Sequence, residues 1–171
     1  MTPSLNVSVV IVSFNTCNLL RDCLKSIYEN TSGVLFEVIV SDNGSVDGSV
    51  EMVKKEFPQV VLVENNANLG FGTANNRGLD VAKGEFVFYL NSDTLLLNNA
   101  IKVFYDYWKK HENESFGALG CNLVDANGML TESHGKFPES KKLLKKMARH
   151  LLAFYVKCVL KLLGCDISGI R

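Results

Sequence analysis

The fold of this chain is decided by the stretch Glu85-Phe86-Val87-Phe88-Tyr89-Leu90-Asn91-Ser92-Asp93. Five of its first six residues are aromatic, aliphatic or β-branched, and such a run predicts a buried strand. The polar tripeptide Asn91-Ser92-Asp93 follows at once. A carboxylate in this place either caps a turn or helix, or binds a hard cation, because Mg²⁺ and Mn²⁺ prefer oxygen ligands and share them with a substrate diphosphate.

Strands and helices alternate along the chain on either side of this stretch. Apolar runs predict strands at 7–12, 36–40, 60–63 and 85–90, and helical spacing predicts helices at 15–29, 45–57, 72–82 and 97–111. Residues 116–124 are predicted to be strand or extended chain, and Asn127-Gly128 predicts a hairpin turn. This order implies an α/β fold with a doubly wound, mainly parallel sheet and right-handed crossovers.

Composition excludes several classes of protein. The chain has 171 residues, a formal net charge of zero and 47% hydrophobic residues, which fits one globular domain and gives no reason to expect nucleic-acid binding. Its five cysteines form no CxxC pair, so a zinc ribbon or a disulfide framework is not predicted. The first residues carry no basic signal-peptide region, and a cytoplasmic location is expected.

The segment 141–161 has a different composition. It contains seven basic residues and no acidic ones, interleaved with apolar residues at helical spacing. A basic amphipathic helix of this kind can lie on an anionic membrane surface, which would make the chain a peripheral membrane protein. The alternative is a helix that packs on its own domain or on a segment absent from this chain. A membrane span is not expected, because the most apolar part is short and interrupted by Lys157 and Lys161.

Polar clusters follow all four predicted strands, at 13–16, 41–49, 65–76 and 91–93. In a parallel sheet these clusters meet at one edge, where the N-termini of helices also present unpaired N–H groups. Each cluster has a local explanation, since Asn15 and Ser45 are good N-caps. Four in register favour a ligand pocket. Asp42 is expected to contact a ribose or base, because Ser45 or Asp47 would cap the next helix.

Two rival sites are rejected on spacing. Gly70-Phe71-Gly72-Thr73-Ala74-Asn75 begins like a dinucleotide fingerprint, but it lacks the third glycine and does not open the first crossover. An NAD-dependent oxidoreductase is therefore disfavoured. The three histidines lie far apart in sequence and show no metal-ligand spacing.

These motifs together resemble glycosyltransferase family 2, the inverting nucleotide-sugar transferases of the GT-A fold. The resemblance covers roughly residues 5 to 135. It is carried by 9–15, by 38–49 with Asp42-Asn43-Gly44-Ser45, by 68–78 and by 83–93. The form Asn91-Ser92-Asp93 and the segment Asn68-Leu69-Gly70-Phe71-Gly72 are most similar to the rhamnosyltransferase-like branch.

The resemblance implies a role for each matching residue. The donor nucleotide would be bound by six polar residues: Ser13, Asn15, Asp42, Asn43, Asn76 and Ser92. Asp93 stands where the DxD motif of the family ends, and would bind the divalent cation, Mn²⁺ or Mg²⁺, that bridges the donor diphosphate. The donor would be a nucleoside-diphosphate sugar, and the sugar would pass to a glycan or lipid-linked acceptor.

Two departures from the family pattern matter. The first Asp of the usual DxD motif is Asn91 here, so one carboxylate would serve where two often do. The segment that carries the general base in the family has no match before Arg171, so the catalytic residue is unknown and the chain is expected to be C-terminally truncated. We therefore expect a donor-binding α/β domain at 1–135 and a basic helical segment of the same domain at 136–171. The alternative function is a non-catalytic nucleotide-binding or assembly module of the same fold.

Overall fold

A computed structural model of the chain describes residues 5–112, 114 and 117–131. It divides into two compact units, Met1–Leu119 and Gly120–Arg171. The helix predicted within 136–171 lies outside the described residues, so the expected domain boundary stays a prediction. In the part of the chain that is described, no helix has the length and apolarity needed to cross a membrane.

The first unit alternates strands and helices, as the sequence predicts. The strands are β1 (Val7–Ser13), β2 (Phe36–Asp42), β3 (Val61–Glu64) and β4 (Phe86–Asn91), and the helices are α1 (Cys17–Asn30), α2 (Ser49–Glu56), α3 (Phe71–Leu79) and α4 (Ala100–Lys110). The strands form one parallel sheet in the order β3-β2-β1-β4. The predicted parallel α/β sheet is therefore confirmed over the described residues.

The two faces of the sheet are covered by different helices. Alternate residues of β1 and β2, such as Val9 and Val40, join one apolar cluster with residues of α1, α2 and α4. The opposite face of β1 and β2 is covered by α3. Side chains alternate across a strand, so the run of consecutive apolar residues in β1 reflects burial on both faces.

Close packing of α3 on the sheet depends on Gly78. A Cβ atom at this position would lie 2.5 Å from Cγ1 of Val10. Val10 is fully buried in the central strand, and a β-branched side chain has little rotamer freedom with which to move away. The glycine therefore sets how near α3 lies to β1.

Gly78→Ala is expected to destabilise the protein by about 1–3 kcal/mol, because overpacking a tight interior contact strains its neighbours. Chemical denaturation measures this change. Gly72→Ala in the same helix is the matched control, since a Cβ atom at Gly72 meets no atom within 4 Å. Equal stability of both variants would contradict the packing argument.

The described part of the second unit is a hairpin. Strands β5 (Leu123–Val124) and β6 (Leu130–Thr131) pair antiparallel, and Gly128 adopts the positive φ of 77° that the turn requires. The predicted Asn127-Gly128 hairpin is confirmed. Residues 116–124 are predicted to be strand or extended chain, and among those that the structure describes, strand pairing covers Leu123–Val124.

Candidate functional site

An open cleft of about 350 Å³ lies at the carboxyl edge of the sheet. All four parallel strands end at this edge, and each contributes its following turn or loop. The lining combines apolar residues with amides, hydroxyls and a single carboxylate: Val12, Phe14, Thr16, Leu19, Asn43, Asn68, Phe71, Asn91, Ser92 and Asp93. An open α/β sheet binds ligands in this position.

The turn between β1 and α1 is joined to the loop after β2 through Asn15. The backbone N–H of Asn15 donates to Ser45 Oγ at 2.9 Å, and Asn15 Oδ1 accepts the N–H of Val46 at 2.9 Å. Asn15 has a φ of 54°, in the left-handed region that asparagine tolerates. The interpretation of Asn15 and Ser45 as N-caps is wrong, because both side chains hold two loops together instead.

The carboxylate of Asp42 is occupied by its own loop. Its Oδ2 accepts the backbone N–H groups of Gly44 and Ser45 at 3.0 and 2.8 Å, and its Oδ1 accepts the Ser45 hydroxyl at 2.5 Å. The side chain is buried. Asp42 therefore does not cap the next helix, and its carboxylate instead closes the loop that follows β2. Its expected contact with the donor nucleotide stays a prediction.

Asp47 provides the helix-capping acceptor that this region needs. Its Oδ1 accepts both the backbone N–H and the hydroxyl of Ser49, the first residue of α2. Its Oδ2 accepts the N–H of Cys17, the first residue of α1, at 2.8 Å. Partial burial opposes ionisation, but these hydrogen bonds outweigh it and hold the pKa of the Asp47 carboxyl below its ordinary value. One carboxylate thus serves the N-termini of two helices.

Side-chain amides line one side of the cleft. Asn65 donates to Asn43 Oδ1 at 3.1 Å and to Ser41 Oγ at 3.0 Å. This orients the Asn43 amide group toward Asn68 Oδ1 and the Gly70 carbonyl, both at a long 3.5 Å. The loop before α3 therefore presents oriented amides to a ligand.

Hydrogen bonds from Thr16 and Cys23 hold the Asn91-Ser92-Asp93 turn in place. Thr16 Oγ1 donates to Ser92 Oγ at 3.2 Å, and the Cys23 thiol lies 3.7 Å from the Asn91 carbonyl. Burial, together with the nearby charge of Asp93, raises the pKa of Cys23 to about 12. The thiol therefore stays protonated near neutral pH and donates to that carbonyl.

Side chains of α1 also anchor the chain that follows this turn. Leu96 donates its N–H to Ser26 Oγ at 3.0 Å, and its carbonyl accepts Asn30 Nδ2 at 2.9 Å. The segment after Asp93 is therefore held by hydrogen bonds to α1 on both sides of the Leu96 backbone.

Among the described residues that line the cleft, only Asp93 carries a carboxylate, and its side chain is exposed there. The described residues contain no group of three or more His, Cys, Asp or Glu side chains that could hold a metal ion by themselves. This arrangement fits an Mg²⁺ or Mn²⁺ ion that takes one carboxylate from the protein and its other ligands from water and substrate phosphates. It does not fit a site built wholly from protein ligands.

The structure brings together some of the predicted site residues and not others. Asn43, Ser92 and Asp93 line the cleft, whereas Ser13, Asn15, Asp42 and Asn76 are not among its lining residues. Ser13 is fully buried below it, and Asn76 is exposed on α3. Their expected roles in donor binding stay predictions.

Sequence reasoning did not single out four of the residues that line the cleft: Phe14, Thr16, Asn68 and Phe71. All four lie inside the predicted polar clusters. An exposed aromatic residue within such a cluster is the signal that could have identified Phe14 and Phe71, which are 44% and 62% exposed. Thr16 gives no comparable signal, because threonine before a helix predicts a cap.

Several known proteins are similar to this chain in sequence. The model of the family described as Glycosyl transferase family 2 matches residues 8–158. The uncharacterized glycosyltransferase YibD of Escherichia coli is 35% identical over 149 residues, which are 77% of this chain and 43% of that protein. The poly(ribitol-phosphate) beta-glucosyltransferase of Bacillus spizizenii is 32% identical over 129 residues, 72% of this chain and 20% of that protein. The chain thus spans less than half the length of these two relatives.

Solved structures share the fold. S. aureus TarS 1-349 in complex with UDP-GlcNAc superposes with a TM-score of 0.56 at 26% identity, over 63% of this chain and 32% of that one. The mannosyltransferase PcManGT from Pyrobaculum calidifontis, in complex with GDP-Man and Mn²⁺, gives 0.50 at 29% identity, over 57% and 30%. The predicted GT-A type α/β fold is confirmed.

Proposed function

The chain belongs to glycosyltransferase family 2, and from this premise we propose that it supplies the donor site of a sugar transferase. The donor is a nucleoside-diphosphate sugar, and the sugar passes with inversion to a glycan or lipid-linked acceptor. The observation that carries the proposal is the cleft at the carboxyl edge of the sheet, where Asn43, Ser92 and Asp93 meet. The motifs at 68–72 and 91–93 support a member of the rhamnosyltransferase-like branch.

The charge of the cleft supports a cation-dependent donor site. Among the described residues that line it there is no lysine or arginine, and Asp93 is the one acidic side chain. A diphosphate is strongly anionic, so Asp93 would repel it unless a cation lay between the carboxylate and the phosphates. A divalent ion bound by Asp93 would supply charge stabilisation to the departing nucleoside diphosphate. The Mn²⁺ in the PcManGT complex supports this assignment.

The remaining residues would bind and orient the donor. The amide of Asn43, oriented by Asn65, is placed to donate a hydrogen bond within the cleft. Phe14 and Phe71 offer exposed apolar surface to a base or sugar ring. The buried Asp42 would support nucleotide binding by holding the loop that follows β2. It would also contact the nucleotide directly where binding exposes its carboxylate.

We assign no catalytic base. An inverting displacement needs a base within hydrogen-bond reach of the acceptor hydroxyl, and Asp93, the only carboxylate among the described residues that line the cleft, is assigned to the cation. The alternative function is a non-catalytic nucleotide-binding module. Release of nucleoside diphosphate from a bound donor sugar in the presence of an acceptor would separate the enzyme from the module.

Titration calorimetry of the chain against UDP, dTDP, GDP and NAD, each with Mn²⁺ and with chelator, tests the proposal. We expect one nucleoside diphosphate to bind with Mn²⁺ and to lose affinity in chelator. Binding of NAD that is indifferent to chelator would contradict the proposal and favour an oxidoreductase. No binding of any of the four would contradict a donor site in this chain.

We also propose peripheral membrane contact through the basic segment 141–161, which lies outside the described residues. Its seven basic side chains with no acidic ones predict attraction to anionic lipid. The chain is expected to co-sediment with vesicles that contain phosphatidylglycerol and to stay in the supernatant with pure phosphatidylcholine. Equal sedimentation with both, or with neither, would contradict this contact.

A further inference from the structure

We propose that Thr16 is a positioning residue of the cleft, which acts through a chain of three hydroxyls formed with Ser13 and Ser92. The chain directs the Ser92 proton toward an anionic oxygen of the ligand and fixes the turn that carries Asp93. This inference rests on the proposed function, since it assigns the diphosphate of a nucleotide to the place above Ser92.

The first step is that Thr16 does not cap its own helix. It is the N-cap residue of α1, yet its side chain makes no cap hydrogen bond. A threonine in this place ordinarily accepts an N–H group of the first helical turn. Asp47 of the neighbouring loop accepts the N–H of Cys17, the first helical residue. The Thr16 hydroxyl contacts Ser13 and Ser92 instead of its own helix, and Thr16 lines the cleft.

The second step is the direction of the hydrogen bonds. Thr16 Oγ1 donates to Ser92 Oγ at 3.2 Å, and it also lies 3.2 Å from Ser13 Oγ. A threonine hydroxyl has one proton, so Ser13 must be the donor in the second contact. The protons then run from Ser13 to Thr16 to Ser92. Within the described part of the chain, Ser92 Oγ accepts from Thr16 and donates to no acceptor, so its proton is available to a ligand.

The third step is that the Ser92 proton can be donated to a phosphate oxygen. Ser92 lines the cleft next to Asp93 and is 9% exposed. A hydroxyl that donates to a phosphate oxygen forms a charge-assisted hydrogen bond. Because each hydroxyl in the chain accepts from the one before it, the donor strength of Ser92 is increased. Because the described residues that line the cleft include no lysine or arginine, such a neutral donor would contribute to diphosphate binding.

The most specific prediction of the hydroxyl chain concerns Ser13. Its side chain is fully buried below the cleft, so it reaches a ligand only through Thr16. Removing its hydroxyl should nevertheless weaken nucleotide binding, because Thr16 would lose its donor and the chain its direction. If Ser13 had only a structural role, removing its hydroxyl and removing that of Thr16 would affect nucleotide binding independently.

The test is titration calorimetry of the chain and its variants with UDP, dTDP and GDP in the presence of Mn²⁺. Thr16→Val keeps the shape and removes the hydroxyl, and we expect about tenfold weaker binding. Thr16→Ser restores the hydroxyl and is expected to bind within about twofold of wild type. Ser13→Ala is expected to lose a similar factor, and the double variant no more than Thr16→Val alone, since the residues act as one unit.

The outcomes separate this inference from the proposed function. If wild-type protein binds none of the three nucleotides, the donor site itself is wrong. If wild type binds and Thr16→Val or Ser13→Ala binds equally well, only the hydroxyl chain is wrong. Additive losses in the double variant would also overturn it. Thermal unfolding is recorded for every variant, and if Thr16→Val fails to fold, Ser13→Ala and Thr16→Ser decide the matter.

Discussion

Asp93→Ala is expected to lower the affinity for a nucleoside diphosphate in Mn²⁺ by about 100-fold, to the value measured in chelator. Asp93 is the only carboxylate among the lining residues that the structure describes, and a close pair of opposite charges with little solvent between them contributes about 3 kcal/mol. Titration calorimetry with and without Mn²⁺ measures the loss. Retained Mn²⁺ dependence in this variant would remove Asp93 from the metal site.

Asp93→Asn is the matched control, because it keeps the size of the side chain and removes only its charge. In Mn²⁺ it should behave as Asp93→Ala does. In chelator the sign of the effect reverses, since wild-type Asp93 then repels the diphosphate. We expect Asp93→Asn to bind the nucleotide as well as wild type in chelator, or better. Weaker binding in chelator would point to a direct contact between Asp93 and the nucleotide.

Asp42→Ala is expected to destabilise the protein by about 3 kcal/mol and to weaken nucleotide binding with or without Mn²⁺. The change removes a carboxylate that accepts three hydrogen bonds, and it leaves the N–H groups of Gly44 and Ser45 unpaired. The loop that presents Asn43 to the cleft would loosen at the same time. Chemical denaturation and calorimetry measure the two effects.

Asp42→Asn separates the loop from the ligand. The amide keeps one oxygen as an acceptor, so part of the loop's hydrogen bonding survives, and we expect a smaller loss of stability than in Asp42→Ala. If nucleotide affinity follows stability across the two variants, Asp42 acts by fixing the loop. If Asp42→Asn is well folded and still binds poorly, the carboxylate contacts the nucleotide. Wild-type stability in Asp42→Ala would contradict the hydrogen bonds described above.

The sheet and the position of the cleft could be predicted from the sequence, because both follow from apolar runs. Two runs, Val9-Val10-Ile11 and Val38-Ile39-Val40, are buried on both faces of the sheet. A short, continuous apolar run of this kind is typical of a strand in a parallel sheet. The polar clusters after each strand then had to meet at one edge of a parallel sheet. The cleft does lie there.

The loops could not be predicted in the same way. Helical spacing placed the start of α2 at 45, whereas α2 begins at Ser49, because Asp42 and Asp47 hold the intervening residues in turns. Likewise, α4 begins at Ala100 and not at 97, since Leu96 is anchored to α1 through Ser26 and Asn30. These contacts join residues far apart in sequence, and periodicity carries no information on them.

The role proposed for Thr16 was beyond sequence reasoning for a related reason. A threonine before a helix predicts a cap, whereas the N–H of Cys17 is bound by Asp47 of a different loop. Only the assembled edge of the sheet brings Asp47 within hydrogen-bond distance of Cys17, and Thr16 within hydrogen-bond distance of Ser92. Side-chain chemistry at such an edge depends on tertiary contacts, whereas the strands beneath it depend on local composition.

The strand order also determines when the cleft can form during folding. The central strand β1 pairs with β2 nearby in the chain but also with β4, so that Val7 lies beside Phe86. Contacts between residues this distant are slow to form, because a long loop must close first. Since Asp93 directly follows β4, an intermediate that contains only β1, β2 and β3 lacks the metal ligand. Nucleotide and cation would therefore bind only the completed sheet, and saturating ligand would raise the stability of that state by mass action.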